Sequence, residues 1–226
     1  HTRWTSMSRG LGDVYKRQEI FGLEPDLAKM MAGAMGVNVR FVTKPFSELL
    51  PALQTGQVDM VLSGMTITPK RNLKVAFVGP YFISGKAFLT KVKTIALAKE
   101  ADDVNTPNTK LVALRGSTSQ AFAEAVLDKT TIYTTGTYDE AVDMVLNDKV
   151  QAMIADYPIC VVSVFRYPEA GLLSVVTPLT YEPIGIAIPA NDPLLMNWAT
   201  NTLNSIEASG QLDDLRLKWF ARGSWL

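Results

Sequence analysis

The strongest constraint on the fold is an alternation. From Glu19 onward, short apolar and β-branched runs take turns with amphipathic stretches of helical period. "EPDLAKMMAGAMG" sets Leu27, Met30, Met31 and Ala34 on one helical face and closes at Gly36. "VNVRFV" alternates as a strand. "FSELLPALQTG" places Phe46, Leu49, Leu50 and Leu53 on one face and stops at Gly56, and the strand "VDMVL" follows. "KLVALR", "TTIYTT", "AMIAD", "LSVVT" and "IGIAIP" then read as strands, and "GSTSQAFAEAVL", "YDEAVDMVLND" and "YPICVVSVFRY" as helices. Two helices, 193–209 and 211–220, end the chain, separated by Gly210. Parallel strands need a crossover, usually helical, so the alternation specifies an α/β protein with mainly parallel sheets.

The pattern runs twice, and each pass carries a strand into a polar loop and a helix start. The first loop is "SGMTITPKR", Ser63 to Arg71; the second runs from Arg115 to Gln120. Ligands of open α/β sheets bind beyond the carboxyl ends of strands, so both are candidate binding loops. In the first, Gly64 lets the backbone approach a ligand, Ser63 and Thr66 offer hydroxyls, Thr68–Pro69 reads as a helix cap, and Arg71 can clamp a carboxylate. In the second, Thr118 and Ser119 open a helix whose N–H groups favour an anion. Asp156 ends its own strand, where it can accept from an ammonium group. A carboxylate sink and an ammonium sink together describe an α-amino acid. Each residue also has a plainer reading: Asp156 and Thr68 as helix caps, Arg71 and Arg115 as solvated arginines, Phe46 as a core aromatic.

Other chemistries find little support. Basic and acidic residues balance at 22 each, which gives no electrostatic reason for a nucleic-acid or anionic-membrane partner. Cys160 stands alone and reads as a small apolar residue on a helix. His1 is the only histidine, which argues against Cys–His catalysis and a histidine metal site; no cofactor or metal is expected. No apolar run reaches the length of about 18 residues that spans a bilayer. Residues 1–18 lack amphipathic period, and "SRGLGDVYKRQ" resembles the translation of a transposase adapter used in sequencing libraries. They are expected to be a non-native scar standing where the signal peptide and first strand belong.

The stretches "FGLEPDLAKMM", "LLPALQTGQVDMVLSGMTITPKR", "VAFVGPYFISG", "VALRGSTSQ", "AMIADYPI" and "GIAIPANDPL" give residues 19–220 a resemblance to the periplasmic amino-acid-binding proteins of ABC transporters, solute-binding protein family 3. That resemblance implies a two-lobed periplasmic-binding-protein-like α/β fold with two hinge crossings. Lobe one would hold residues 19–89 and 183–226, and lobe two residues 90–182. A small amino acid or similar zwitterion would bind in the interlobe cleft by hinge closure and be delivered to an ABC transporter permease by a periplasmic monomer. Carried over by residue, Arg71 would take the ligand carboxylate with the N–H groups of Thr66 and Ser119. Asp156, the Gly64 carbonyl and the Thr66 hydroxyl would take the ammonium. Ser63 and Thr118 would complete the two loops, Phe46 and Ile184 would wall the pocket, and Arg115 would reach the ligand.

Two alternatives stay open: the ligand-sensing domain of a receptor, and an enzyme like the cyclohexadienyl (arogenate or prephenate) dehydratases. Such chemistry needs a positioned general acid, and the resemblance to those enzymes implies that it lies just after the strand end at Asp156. Tyr157, Pro158, Ile159 and Cys160 supply none, which leaves Glu182, near the second crossing, whose plainer reading is a hinge or surface carboxylate.

Overall fold

The computed structural model describes residues 6–7, 14–16, 19–174 and 179–221. These divide into two compact units: residues up to Ile83 together with those from Pro183 on, and Ser84–Glu182.

Unit one begins with β1 (Ser6–Met7) and β2 (Val14–Lys16), the described parts of the segment read as a scar; the rest of that segment lies outside the described residues. β2 pairs antiparallel with β3 (Glu19–Phe21). Helix α1 (Leu23–Met35) follows, with Glu24 and Asp26 in its first turn, where negative charge complements the helix dipole. It ends at Gly36, whose φ of 70° suits glycine at a helix C-terminus. Its buried stripe is Leu23, Leu27 and Met31 flanked by Ala28 and Ala32, whereas Ala34 is exposed. The small alanines make up that flank, which turns the buried face away from the expected Met30–Ala34 side.

Among the described residues, strand pairing at "VNVRFV" is confined to β4 (Val42–Thr43), parallel to β1. A single turn at Phe46–Glu48 feeds α2 (Leu49–Gln54) and buries Phe46, Leu49 and Leu53. "VDMVL" is buried at Val58, Met60, Val61 and Leu62, and among the described residues it makes an isolated bridge, Val61 to Ala187. After the short helix α3 (Pro69–Asn72), β5 (Ala76–Ser84) carries the chain out of unit one.

Unit two holds β6 (Lys86–Thr90), α4 (Lys93–Ala96), β7 (Lys110–Leu114), α5 (Thr118–Val126) and β8 (Thr131–Thr135). α6 (Tyr138–Leu146), β9 (Ala152–Asp156), α7 (Tyr157–Arg166) and β10 (Leu173–Ser174) complete it. The five strands form one sheet in the order β10-β6-β9-β7-β8. β7 runs parallel to β8 and β9, as expected from the helical crossovers, while β6 runs antiparallel to both β9 and β10. Residues 84–89, read from sequence as the end of lobe one, belong to this unit, where β6 pairs with β9 along its whole length. The middle of the sheet is dry: Phe88, Leu89, Leu111, Val112, Met153 and Ile154 are all 0% exposed. Each such side chain contributes roughly 1.5–3 kcal/mol.

The topology puts several chain positions on one edge. Parallel β7 and β9 both finish there, so the start of α5 and Asp156 lie at the same edge. Because β6 is antiparallel to β9, its first residue meets the last of β9, Lys86 opposite Asp156. β11 (Glu182–Ile188) then pairs with β5 and returns the chain to unit one. α8 (Pro193–Ala208) is capped by Asp192, and α9 (Gln211–Arg216) starts after Gly210. Both pack against α1. Among the described residues, no helix is long and apolar enough to cross a membrane.

Candidate functional site

In unit one, the loop after Leu62 is anchored from two sides. Ser63 and Thr66 are buried, and Gly64 takes a φ of 59°, a left-handed conformation that glycine adopts without steric cost. The Gly64 N–H donates to Glu24 Oε1 at 2.5 Å, and the Tyr81 hydroxyl donates to the same oxygen. Glu24 is fully buried in the first turn of α1, so a carboxylate inside the unit fixes the loop's entry. On the other side, the bridge between Thr66 and Ile184 ties the loop to β11.

The loop's exit is equally defined. Thr68 Oγ1 accepts from the Arg71 N–H at 3.2 Å and Pro69 follows it, the cap read from the sequence. Arg71 then turns back: its Nη1 donates to the Thr66 carbonyl at 2.8 Å, and its guanidinium carbon lies 5.6 Å from the ring centroid of buried Phe46. Cation–π contact and hydrogen bond together hold a planar cation at the loop's end. A guanidinium so fixed suits bidentate recognition of a carboxylate.

Unit two gathers a second cluster. Asp156 is 5% exposed and, although it stands at the N-cap of α7, its side chain makes no capping bond. It faces Lys86 instead, with Nζ 2.7 Å from Oδ1. The fully buried Lys86 ammonium also donates to Thr118 Oγ1 at 2.6 Å and lies 3.4 Å from Glu182 Oε2. The Thr118 hydroxyl donates to Glu182 Oε2 at 3.3 Å, and the Thr180 hydroxyl donates to Oε1 at 3.1 Å. Ser117 caps α5 by accepting from the Gln120 N–H, which sets Thr118 and buried Ser119 in the helix's first turn. Arg115 is exposed; its backbone N–H bonds the Thr135 carbonyl.

The structure thus brings Phe46, Thr66 and Arg71 together, and separately Thr118 and Asp156. Sequence reading missed Lys86 and Glu24, and it weighed Glu182 only as a remaining general acid or as a hinge or surface carboxylate. The available sign was a charge inside an otherwise apolar segment: Lys86 within "GKAFLT" and Glu24 beside Leu23. Cys160, fully buried on α7, donates to the Ala87 carbonyl at 3.7 Å. Burial, and then the charge of Asp156, push its thiol well above the usual range, as befits an inert core residue. Among the described residues, no group of histidine, cysteine, aspartate and glutamate is arranged to hold a metal ion.

Comparison with known proteins bears on the fold and the family. The crystal structure of the ancestral amino acid-binding protein AncCDT-1, a precursor of cyclohexadienyl dehydratase, superposes with a TM-score of 0.87 at 35% identity, covering 97% of this chain and 95% of that one. An ancestral arginine-binding protein bound to arginine gives a TM-score of 0.89 at 27% identity, covering 97% and 99%. The ABC transporter glutamine-binding protein GlnH of Bacillus subtilis is 26% identical over 204 residues, which cover 89% of this chain and 73% of GlnH. These neighbours share the α/β periplasmic-binding-protein fold expected from the sequence. The family model for bacterial extracellular solute-binding proteins, family 3, matches residues 13–222, and the chain belongs to that family.

Proposed function

We propose that the protein binds a small L-amino acid and delivers it to an ABC transporter permease, working as a monomer in the periplasm and without catalysis. The observation that carries this reading is Arg71, held between the Thr66 carbonyl and the Phe46 ring as a fixed receptor for the ligand's α-carboxylate. The first-turn N–H groups of α5, at Thr118 and Ser119, favour the same carboxylate, and Asp156 favours the ammonium. Ser63, Gly64 and Arg115 complete the proposed ligand-binding set, with Phe46 as an apolar wall. The relatives' named ligands, arginine and glutamine, support an amino acid as cargo. For a dehydratase, the turn after Asp156 supplies no acid, and Glu182 is held against Lys86.

A thermal-shift panel of the proteinogenic L-amino acids, with arogenate and prephenate, tests the reading. One or a few amino acids raise the melting temperature, and neither ring acid is turned over. A ligand at a thousand times its dissociation constant adds about 4 kcal/mol. Arg71→Ala weakens binding at least roughly thirtyfold, because truncating one partner of a hydrogen-bonded charge pair costs about 2–5 kcal/mol. A flat amino-acid panel alongside turnover of a ring acid would reverse the assignment.

A further inference from the structure

We propose that Arg216, on α9, is a positioning residue for ligand binding: acting through Tyr81 and Glu24, it holds the peptide at Gly64 on which the loop Ser63–Arg71 turns. The inference rests on the amino-acid reading above, which places that loop at the ligand.

A continuous line of hydrogen bonds inside unit one carries it. Arg216 Nε and Nη2 both donate to the Tyr81 carbonyl, at 3.2 and 2.7 Å. At the far end of the same tyrosine, the hydroxyl donates to Glu24 Oε1, which also accepts the Gly64 N–H at 2.5 Å. Tyr81 and Glu24 are both fully buried, so water does not readily replace a member of the line that moves. A ring packed on all sides moves with its backbone, so a shift of β5 at Tyr81 reaches the hydroxyl. The peptide is planar, and fixing the Gly64 N–H therefore fixes the Ser63 carbonyl as well. Gly64 needs such an anchor, because a glycine backbone turns more freely than any other.

Arg216 is itself held for this task. Its Nη1 meets Asp213 Oδ1 at 2.7 Å and Glu207 Oε1 at 3.1 Å, so two acids of α9 and α8 offset its charge and set the angle of the fork. A guanidinium fork commonly spans the two oxygens of a carboxylate. Here two of its N–H groups converge on one main-chain oxygen of β5. The segment beyond Arg216 has a seat of its own: Lys218 Nζ and Trp219 Nε1 donate to Asp26 Oδ2 at 2.6 and 3.0 Å, and α9 packs against α1. Losing the fork thus loosens β5 at Tyr81 while α9 stays docked.

The test is calorimetric titration of the whole chain with each proteinogenic L-amino acid, together with hydrogen exchange at the Gly64 amide followed by NMR. The wild type binds at least one amino acid, and its Gly64 amide exchanges slowly. Arg216→Met weakens the best-bound amino acid by about three- to thirtyfold and speeds Gly64 exchange. Tyr81→Phe also weakens it, and adding Arg216→Met to Tyr81→Phe costs nothing further, because the line is already cut. Lys218→Met, on the same segment but bonded to Asp26, leaves affinity unchanged. If Arg216→Met does not fold, Arg216→Lys keeps a charge for Glu207 and Asp213, loses the fork, and shifts both readouts in the same direction. Wild-type affinity or wild-type Gly64 exchange in a folded Arg216 variant would overturn this inference and leave the amino-acid reading standing. So would an undiminished effect of Arg216→Met in the Tyr81→Phe background, or an equal loss in Lys218→Met. Binding of no amino acid by the wild type would overturn both.

Discussion

Tyr81 is fully buried, with its hydroxyl donating to Glu24, which also receives the Gly64 N–H. Tyr81→Phe removes a hydrogen bond to a buried carboxylate and is expected to cost about 1.5–3 kcal/mol, read as a lower urea midpoint at unchanged slope. An unshifted midpoint would show that Glu24 does not depend on Tyr81. Cys160 gives a simpler prediction. In the native protein it should stay unreactive toward a thiol reagent such as DTNB, and react promptly in urea. Thr68 and Arg71 were legible because a cap and a lone arginine stand out in a polar loop. Lys86 was not, because a single lysine in an apolar run reads as a surface residue until an antiparallel neighbour places Asp156 opposite it.

At the scale of elements, helical period was the most readable signal. α5, α6 and α7 fall where their apolar spacing puts them, and β7, β8 and β9 lie between them as a parallel set. Less legible were segments whose pairing depends on a distant partner. "VDMVL" is as apolar as any strand, yet among the described residues it pairs at Val61 alone, and "VNVRFV" at Val42 and, just beyond, Thr43. The reversed direction of β6 is equally invisible in its own residues. Gly185 on β11 shows how tightly one of these contacts is packed. A Cβ there would come within 2.7 Å of the Ile67 side chain and 3.0 Å of the Val78 carbonyl. Ile67 can move but the backbone oxygen yields little, so Gly185→Ala is expected to destabilise the protein by about 1–3 kcal/mol. Because Ile67 lies inside the loop that ends at Arg71, weaker ligand binding should accompany the lower melting temperature. A melting curve like the wild type's would show that β11 shifts freely.

For the whole molecule, the balanced net charge conceals an uneven interior. A guanidinium is fixed in one unit, and in the other a buried lysine, Lys86, stands between the carboxylates of Asp156 and Glu182. In the proposed reading, Arg71 takes the carboxylate of an α-amino acid and Asp156 its ammonium, in keeping with the family's solute-binding role. The most direct test compares, by calorimetry, the amino acid that binds best with its methyl ester, which keeps the ammonium and loses the carboxylate charge. The account predicts that the ester binds at least about thirtyfold more weakly to the wild type, and that Arg71→Ala narrows most of that gap. An ester bound as tightly as the free acid would contradict it, since Arg71 would then recognise no carboxylate.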